Sequence, residues 1–171
     1  MNKLKKIIIG LAVAMVLTIS IFASDKSIIS PDPAWVLTLG GAGNTSTTGN
    51  DGTAFGIDIG IGRTGHLLLP TETGIRQSIS YNDSTTLLTT KLYNDWTILN
   101  YKRLDIFGGA NIGIRYGNTT AQWEFAPEVG TRYWLKNDVN IIARLEFPFD
   151  LGNSFDYKDT LRYILGLQLK F

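Results

Sequence analysis

From Trp35 to Phe171 the chain alternates apolar and polar residues with a period of two. Phe55, Ile57, Ile59 and Ile61 are separated by Gly56, Asp58 and Gly60, and Val139, Ile141, Ala143, Leu145 and Phe147 interleave with Asn140, Arg144 and Glu146. In the last run, Leu161, Tyr163, Leu165, Leu167, Leu169 and Phe171 alternate with Arg162, Ile164, Gly166, Gln168 and Lys170. A period of two sends successive side chains to opposite faces of a β-strand. Eight such runs predict strands near Trp35–Gly43, Phe55–Arg63, Thr71–Tyr81, Thr86–Ile98, Leu104–Tyr116, Ala121–Leu135, Val139–Phe149 and Thr160–Phe171. The connections alternate in character. Asn44–Gly52, Asn82–Thr85, Gly117–Thr120 and Asp150–Asp159 are polar, and Thr64–Pro70, Leu99–Arg103 and Lys136-Asn137-Asp138 lie between them.

The two faces differ in chemistry. One carries the aliphatic and aromatic residues, with Trp123, Phe125 and Val129 among them. The other collects Asp58, Arg76, Lys91, Asp95, Asp105, Asn111, Arg115, Glu124, Glu128, Arg132, Arg144, Glu146, Arg162 and Gln168. On a soluble sandwich that second set is solvated surface. In a transmembrane barrel the arrangement inverts, with apolar residues toward lipid and polar ones toward the lumen. The even strand count and lengths near those of about 9–11 membrane residues fit the barrel. The expected fold is therefore all-β, an eight-stranded antiparallel up-and-down transmembrane β-barrel.

Several residue sets gain a role inside such a barrel. Unpaired charge in a narrow lumen is costly, whereas pairs are tolerated. Asp58, Arg76, Arg115, Glu124, Glu128, Arg132, Arg144, Glu146 and Arg162 are expected to form a lumen charge network, its members on the final strands brought close by adjacency. Gly56, Gly60 and Gly62 share the inward face of one strand and Gly109 and Gly113 that of another, leaving room for larger side chains opposite. Trp35, Tyr81, Trp96, Tyr101, Tyr116, Tyr133 and Trp134 cluster toward strand ends, where aromatic girdles form.

The amino end changes the picture of location. Lys3, Lys5 and Lys6 precede an apolar run from Ile7 toward Ala23, which reads as a secretory signal peptide. The expected organisation is a signal peptide at 1–23, a periplasmic N-terminal extension at 24–34 and the barrel at 35–171. After residue 23 the chain holds 13 Lys and Arg against 15 Asp and Glu, with no basic footprint for nucleic acid. Cysteine is absent, which excludes disulfides and thiolate metal sites.

Candidate chemistry is sparse. Gly60-Ile61-Gly62-Arg63-Thr64-Gly65 spells a dinucleotide-binding pattern, but that motif needs a following helix, and Leu67-Leu68-Leu69-Pro70 allows none. His66 is the only histidine, the sole imidazole available as a general base for acyl transfer, and it falls in a turn at the periplasmic end. Asp51, Asp150, Asp156 and Asp159 are suitable hard ligands, but their spacing matches no calcium loop. No catalytic residue, cofactor or metal site is expected.

Ile106-Phe107-Gly108-Gly109-Ala110-Asn111-Ile112-Gly113-Ile114-Arg115-Tyr116, then Phe125-Ala126-Pro127-Glu128-Val129-Gly130-Thr131-Arg132-Tyr133-Trp134-Leu135, the Lys136-Asn137-Asp138 turn and the closing strand follow one another in a recognisable order. Together they resemble the small bacterial outer-membrane β-barrel family that includes OmpX-type, Ail-type and OmpA-type barrels. Tyr163, Leu165, Leu167, Leu169 and the terminal Phe171 are similar to the assembly signal of such barrels. The resemblance implies an outer-membrane location, insertion by the barrel-assembly machinery with periplasmic chaperones, and contact with outer-membrane lipid and lipopolysaccharide. It also implies a monomer with a non-enzymatic structural or surface-interaction role in the envelope. Two alternatives stand beside that role: a narrow porin-like channel for ions or small solutes, and a lipid A-modifying acyl hydrolase or transferase resting on His66. The short outer connections set the chain apart from the adhesin-like members of the family.

Overall fold

A computed structural model of the chain describes residues 33–46, 54–66, 68–82, 85–117, 121–152, 156–157 and 160–171. The expected signal peptide at 1–23 and all of the extension except Pro33 and Ala34 lie outside the described residues. The strands are β1 (Trp35–Ser46), β2 (Ala54–His66), β3 (Pro70–Asn82), β4 (Thr85–Tyr101), β5 (Leu104–Tyr116), β6 (Ala121–Lys136), β7 (Val139–Glu146), β8 (Phe149–Asp150), β9 (Asp156–Tyr157) and β10 (Thr160–Lys170). Among the described residues no helix is long and apolar enough to cross a membrane.

Strands β1 to β7 pair antiparallel in chain order, and β7 pairs with β10 and β10 with β1, so eight strands close into a ring. The β1–β10 seam joins eleven positions, from Val36 opposite Lys170 to Ser46 opposite Thr160. Beyond its end Trp35 and Phe171 exchange two backbone hydrogen bonds of 2.9 Å each. Closure leaves no barrel edge with unsatisfied backbone groups, the condition for crossing hydrocarbon with strands.

Three elements depart from the alternation pattern, β6 through a register shift at Leu135 against β7. β4 runs on to Tyr101 through a bulge at Ile98, whose extra residue shifts the parity, so odd positions face inward up to Thr97 and outward at Leu99 and Tyr101. The seventh strand, expected without interruption to Phe149, stops at Glu146 and resumes as β8. The reason is Pro148. It has no N–H to extend the ladder toward β10, and the last β7–β10 pair is Glu146 opposite Arg162. On the other side pairing to β6 continues, through the Phe147 N–H donated to the Pro127 carbonyl and Phe149 opposite Phe125.

The two ends of the barrel differ. One carries the described chain termini and the short turns at 67–69, Lys102-Arg103 and Asn137-Asp138. Lys102 adopts a left-handed φ of 55°, which closes the two-residue turn between β4 and β5. The strand ends at Ser46, Ala54, Asn82, Thr85, Tyr116, Ala121, Asp150 and Thr160 lie at the opposite end. Exposed aromatic residues mark both rims: Trp35, Trp96, Tyr101 and Tyr133 toward the terminal end, and Phe55, Tyr81, Tyr116 and Trp123 toward the other. Between them the outer wall presents Leu39, Ile57, Ile59, Ile75, Ile79, Leu92, Ile112, Leu165 and Leu167. Trp134 is a correction to the expected girdle. It shares the parity of Arg132, turns inward and donates its indole N–H to Asp105 at 2.6 Å.

Candidate functional site: the barrel interior

The inward positions alternate strictly with the outer wall, so each strand delivers a row of side chains into a space that eight strands leave only just wide enough to fill. β3 contributes Glu72 and Arg76, and β4 contributes Lys91, Tyr93 and Asp95. β6 adds Glu124, Glu128 and Arg132, β7 adds Arg144 and Glu146, and β10 adds Arg162 and Gln168. Arg76 lies at the centre, 1% exposed, with its guanidinium forked onto both carboxylate oxygens of Glu128 at 2.8 Å. The same group reaches Glu146 at 3.3 Å and Asp95 at 3.4 Å. Bidentate guanidinium–carboxylate pairing is the strongest ionic geometry a side chain offers, and it fixes orientation as well as distance.

Around this fork the network spreads toward both ends. Lys91 donates to Glu146 at 2.5 Å. Arg144 meets Asp95 at 3.2 Å and Glu128 at 3.8 Å. Arg132 joins Glu72 at 3.0 Å and Asp95 at 3.3 Å. Arg162 clasps Glu124 with both terminal nitrogens, one of them at 2.8 Å, and lies 3.8 Å from Glu146. Five bases thus face five acids: Arg76, Lys91, Arg132, Arg144 and Arg162 against Glu72, Asp95, Glu124, Glu128 and Glu146. Neutral groups take up further valences. Tyr93 donates to Glu72 at 2.7 Å, Asn111 to Glu128 at 2.8 Å, and Gln168 to both oxygens of Glu72 at 3.0 Å. Two aromatic rings lie under the cations, with Arg76 3.7 Å from the Tyr93 ring centre and Arg132 4.1 Å from that of Phe107.

Glycines beside these side chains in the sheet make the room: Gly130 pairs with Phe107, Gly109 with Asp95, and Gly62 lies two strands from Tyr93 in the same row. A Cβ on Gly62 would stand 2.3 Å from the Tyr93 hydroxyl, one on Gly130 would stand 2.4 Å from the Phe107 ring, and one on Gly109 would meet Asp95 at 2.3 Å. The interior is therefore filled by a charged layer backed by the rings of Tyr93 and Phe107. Near the connection-bearing end a cavity of about 20 Å³ lies beside Lys91, Arg115 and Arg162. A second of about 20 Å³ lies near the termini beside Glu72, Asp105 and Arg132. Each has room for roughly one water.

All nine residues read from the sequence as a lumen network sit on inward positions, but they do not form one cluster. Arg76, Glu128, Arg132, Arg144 and Glu146 converge, and Glu124 with Arg162 extends them. Asp58 accepts a hydrogen bond from Ser78 at 2.5 Å, and Arg115 donates to Gln122 at 2.5 Å. The adjacency of the final strands brings Arg144 to Glu128 and Arg162 to Glu124 and Glu146, but it does not supply the centre of the cluster. Its hub is Arg76 of β3, which reaches across the barrel to β6 and β7. Sequence reasoning missed Glu72, Tyr93 and Phe107, and left Lys91 and Asp95 as inward residues without a role. The signal was present in parity: Glu72 lies four residues before Arg76, Tyr93 between Lys91 and Asp95, and Phe107 two after Asp105.

The remaining candidates lie elsewhere. His66 is exposed at the end of β2, on the terminal side of the barrel, and Gly60 to Gly65 belong to an unbroken strand rather than to a phosphate-binding turn. Among the described residues no three His, Asp or Glu side chains are grouped to hold a metal ion. Leu165, Leu167, Leu169 and Phe171 face outward, and Tyr163 covers Gly43 of β1, where an added Cβ would meet its ring at 2.3 Å.

Comparison with solved structures places this geometry. Neisserial surface protein A superposes with a TM-score of 0.57 at 13% identity, over 81% of this chain and 97% of that one. The N-terminal β-barrel domain of Pseudomonas aeruginosa OprF gives a TM-score of 0.57 at 14% identity, over 80% and 97%. The Ail attachment invasion locus protein of Yersinia pestis, solved with the heparin analogue sucrose octasulfate, gives 0.55 at 13%, over 82% and 99%. This chain has the fold of the small outer-membrane barrels. At these identities the likeness is one of fold. No family model matches the sequence, and no curated protein matches it either.

Proposed function

We propose that this barrel is an integral outer-membrane protein with a structural or surface-interaction role in the envelope and no enzymatic activity. Its terminal end faces the periplasm and its larger connections face outward, the usual polarity of such barrels. The observation that carries the reading is the packed interior: Arg76, Arg144 and Phe107, each no more than 2% exposed, fill the lumen, and the cavities at its two ends hold about 20 Å³ each. Aqueous porins are built from about 16–18 strands, and eight leave a lumen that side chains fill. The fold shared with Neisserial surface protein A and Ail supports a surface role. The same reading includes removal of residues 1–23, delivery by periplasmic chaperones, insertion by the barrel-assembly machinery and a monomer surrounded by lipid and lipopolysaccharide. A lipid A-modifying activity finds no support, because His66 stands at the terminal end, away from the outer leaflet in this orientation.

The deciding experiment is conductance of the refolded chain in a planar bilayer, after a heat-dependent gel shift has shown that it is folded. A silent bilayer is expected. Reproducible current steps that change with Arg76→Gln or Glu128→Gln would replace the structural reading with that of a narrow channel.

A further inference from the structure

We propose that the terminal end of the barrel carries a docking collar for anionic phospholipid headgroups, formed by Arg63, Lys102, Arg103 and Lys136. The proposal rests on the membrane reading above and adds a lipid preference to it. Inside the barrel Arg76, Lys91, Arg132, Arg144 and Arg162 are held by carboxylates and Arg115 by Gln122. The collar residues are different. All four are exposed, and among the described residues no carboxylate forms an ion pair with any of them. Among the described residues Asp138 is the lone exposed acidic side chain in the turns of this end.

Their placement matches the depth at which phosphates lie. Arg63 stands opposite Trp35 in the β1–β2 register, with its guanidinium 6.0 Å from the indole ring centre. The Lys102 ammonium lies 5.1 Å from the ring centre of Tyr101, and Lys136 follows the exposed Tyr133 and Leu135 on β6. Aromatic rims settle at the boundary between hydrocarbon and headgroups, and long cationic side chains extend from there into the phosphate layer. Unpaired cations at that depth attract anionic lipid, with about 1 kcal/mol for each Lys or Arg near a charged surface, equivalent to roughly fivefold. Leu68, 96% exposed at the tip of the β2–β3 turn, supplies an apolar contact at the same end. The opposite end has the reverse sign: by sequence its connections hold Asp51, Asp83, Asp150, Asp156 and Asp159 against Lys158. The attraction is therefore confined to one rim, and a phosphodiester lipid of the facing leaflet is the partner it fits.

Tryptophan quenching by brominated lipid reads this directly. Two full-length chains are refolded into phosphatidylcholine vesicles, one retaining only Trp35 and one only Trp123, the other tryptophans replaced by Phe. A minor fraction of brominated phosphatidylglycerol is compared with the same fraction of brominated phosphatidylcholine. At Trp35 the anionic lipid should be enriched roughly fivefold. Trp123, at the acidic rim, should show none. The enrichment should vanish in the variant Arg63→Gln/Lys102→Gln/Arg103→Gln/Lys136→Gln and fall as salt is raised. Equal quenching by the two lipids at Trp35 would overturn the collar while leaving the barrel intact. Loss of the heat-dependent gel shift in the unsubstituted chain would overturn the membrane reading, and the collar with it.

Discussion

At the scale of single residues, Arg76 shows how a charge is tolerated inside a narrow lumen. It is coordinated by Glu128, Glu146 and Asp95 and backed by the Tyr93 ring, so little of its desolvation is left uncompensated. Removing it leaves three buried carboxylates short of a partner. Arg76→Ala should therefore cost about 3–5 kcal/mol, read as a lower urea midpoint for unfolding from lipid vesicles. Arg115, whose partner is the neutral Gln122, provides the contrast. Arg115→Gln should cost no more than about 1 kcal/mol, the range of an ordinary hydrogen bond. Gly62 acts by what it lacks. Gly62→Ala drives a Cβ into the Tyr93 hydroxyl, and about 1–3 kcal/mol of overpacking should follow in the same assay. A normal midpoint for Gly62→Ala would mean that Tyr93 moves aside freely and that the plug is looser than its geometry implies.

At the scale of elements, the closing strand decides whether a sheet becomes a barrel. Tyr163, Leu165, Leu167, Leu169 and Phe171 keep one parity and lie opposite Gly43, Gly41, Leu39, Leu37 and Trp35 of β1. Phe171 completes the seam through its two backbone bonds to Trp35 and adds an aromatic ring to the terminal rim. Deleting Phe171 should lower the fraction of heat-shifting, folded barrel recovered from the envelope more than it lowers unfolding stability once folded. That split separates an assembly role from a packing role. An equal loss of both would reduce Phe171 to one more lipid-facing residue. Elsewhere the elements obey alternation until a backbone constraint intervenes. Pro148 ends β7 early, and the Ile98 bulge lengthens β4; strand faces were legible from the sequence, but neither interruption was. A bulge shows in sequence as a one-residue phase shift, and only Leu99 and Tyr101 lie beyond this one to register it.

For the whole molecule, charge is sorted into three regions. The interior balances its signs, the terminal rim is basic, and the connections of the other end are acidic by sequence. A balanced interior removes the field that would draw ions through the lumen. A polarised exterior gives the barrel a sense of direction in a bilayer whose two leaflets differ. Silence in a planar bilayer and a lipid preference confined to the Trp35 rim would be separate consequences of this sorting, because they depend on different residues.

The sequence by itself determined the number of barrel strands, their two faces and the inward position of Asp58, Arg76, Arg115 and the other charged residues. Each of these follows from a period of two, which is a local property of a pleated strand. Only the tertiary structure decided which charges meet. Arg76 joins Glu128 across 52 positions of the chain and Glu146 across 70, and Arg132 joins Glu72 across 60. Those partners depend on the curvature of the closed ring, which folds β3 against β6 and β7 across the lumen rather than beside them in the sheet. Tyr93 and Phe107 form the floor of the plug because strand pairing sets glycines beside them, Gly130 opposite Phe107 and Gly62 and Gly74 in the row of Tyr93, while closure brings Arg76 and Arg132 over their rings.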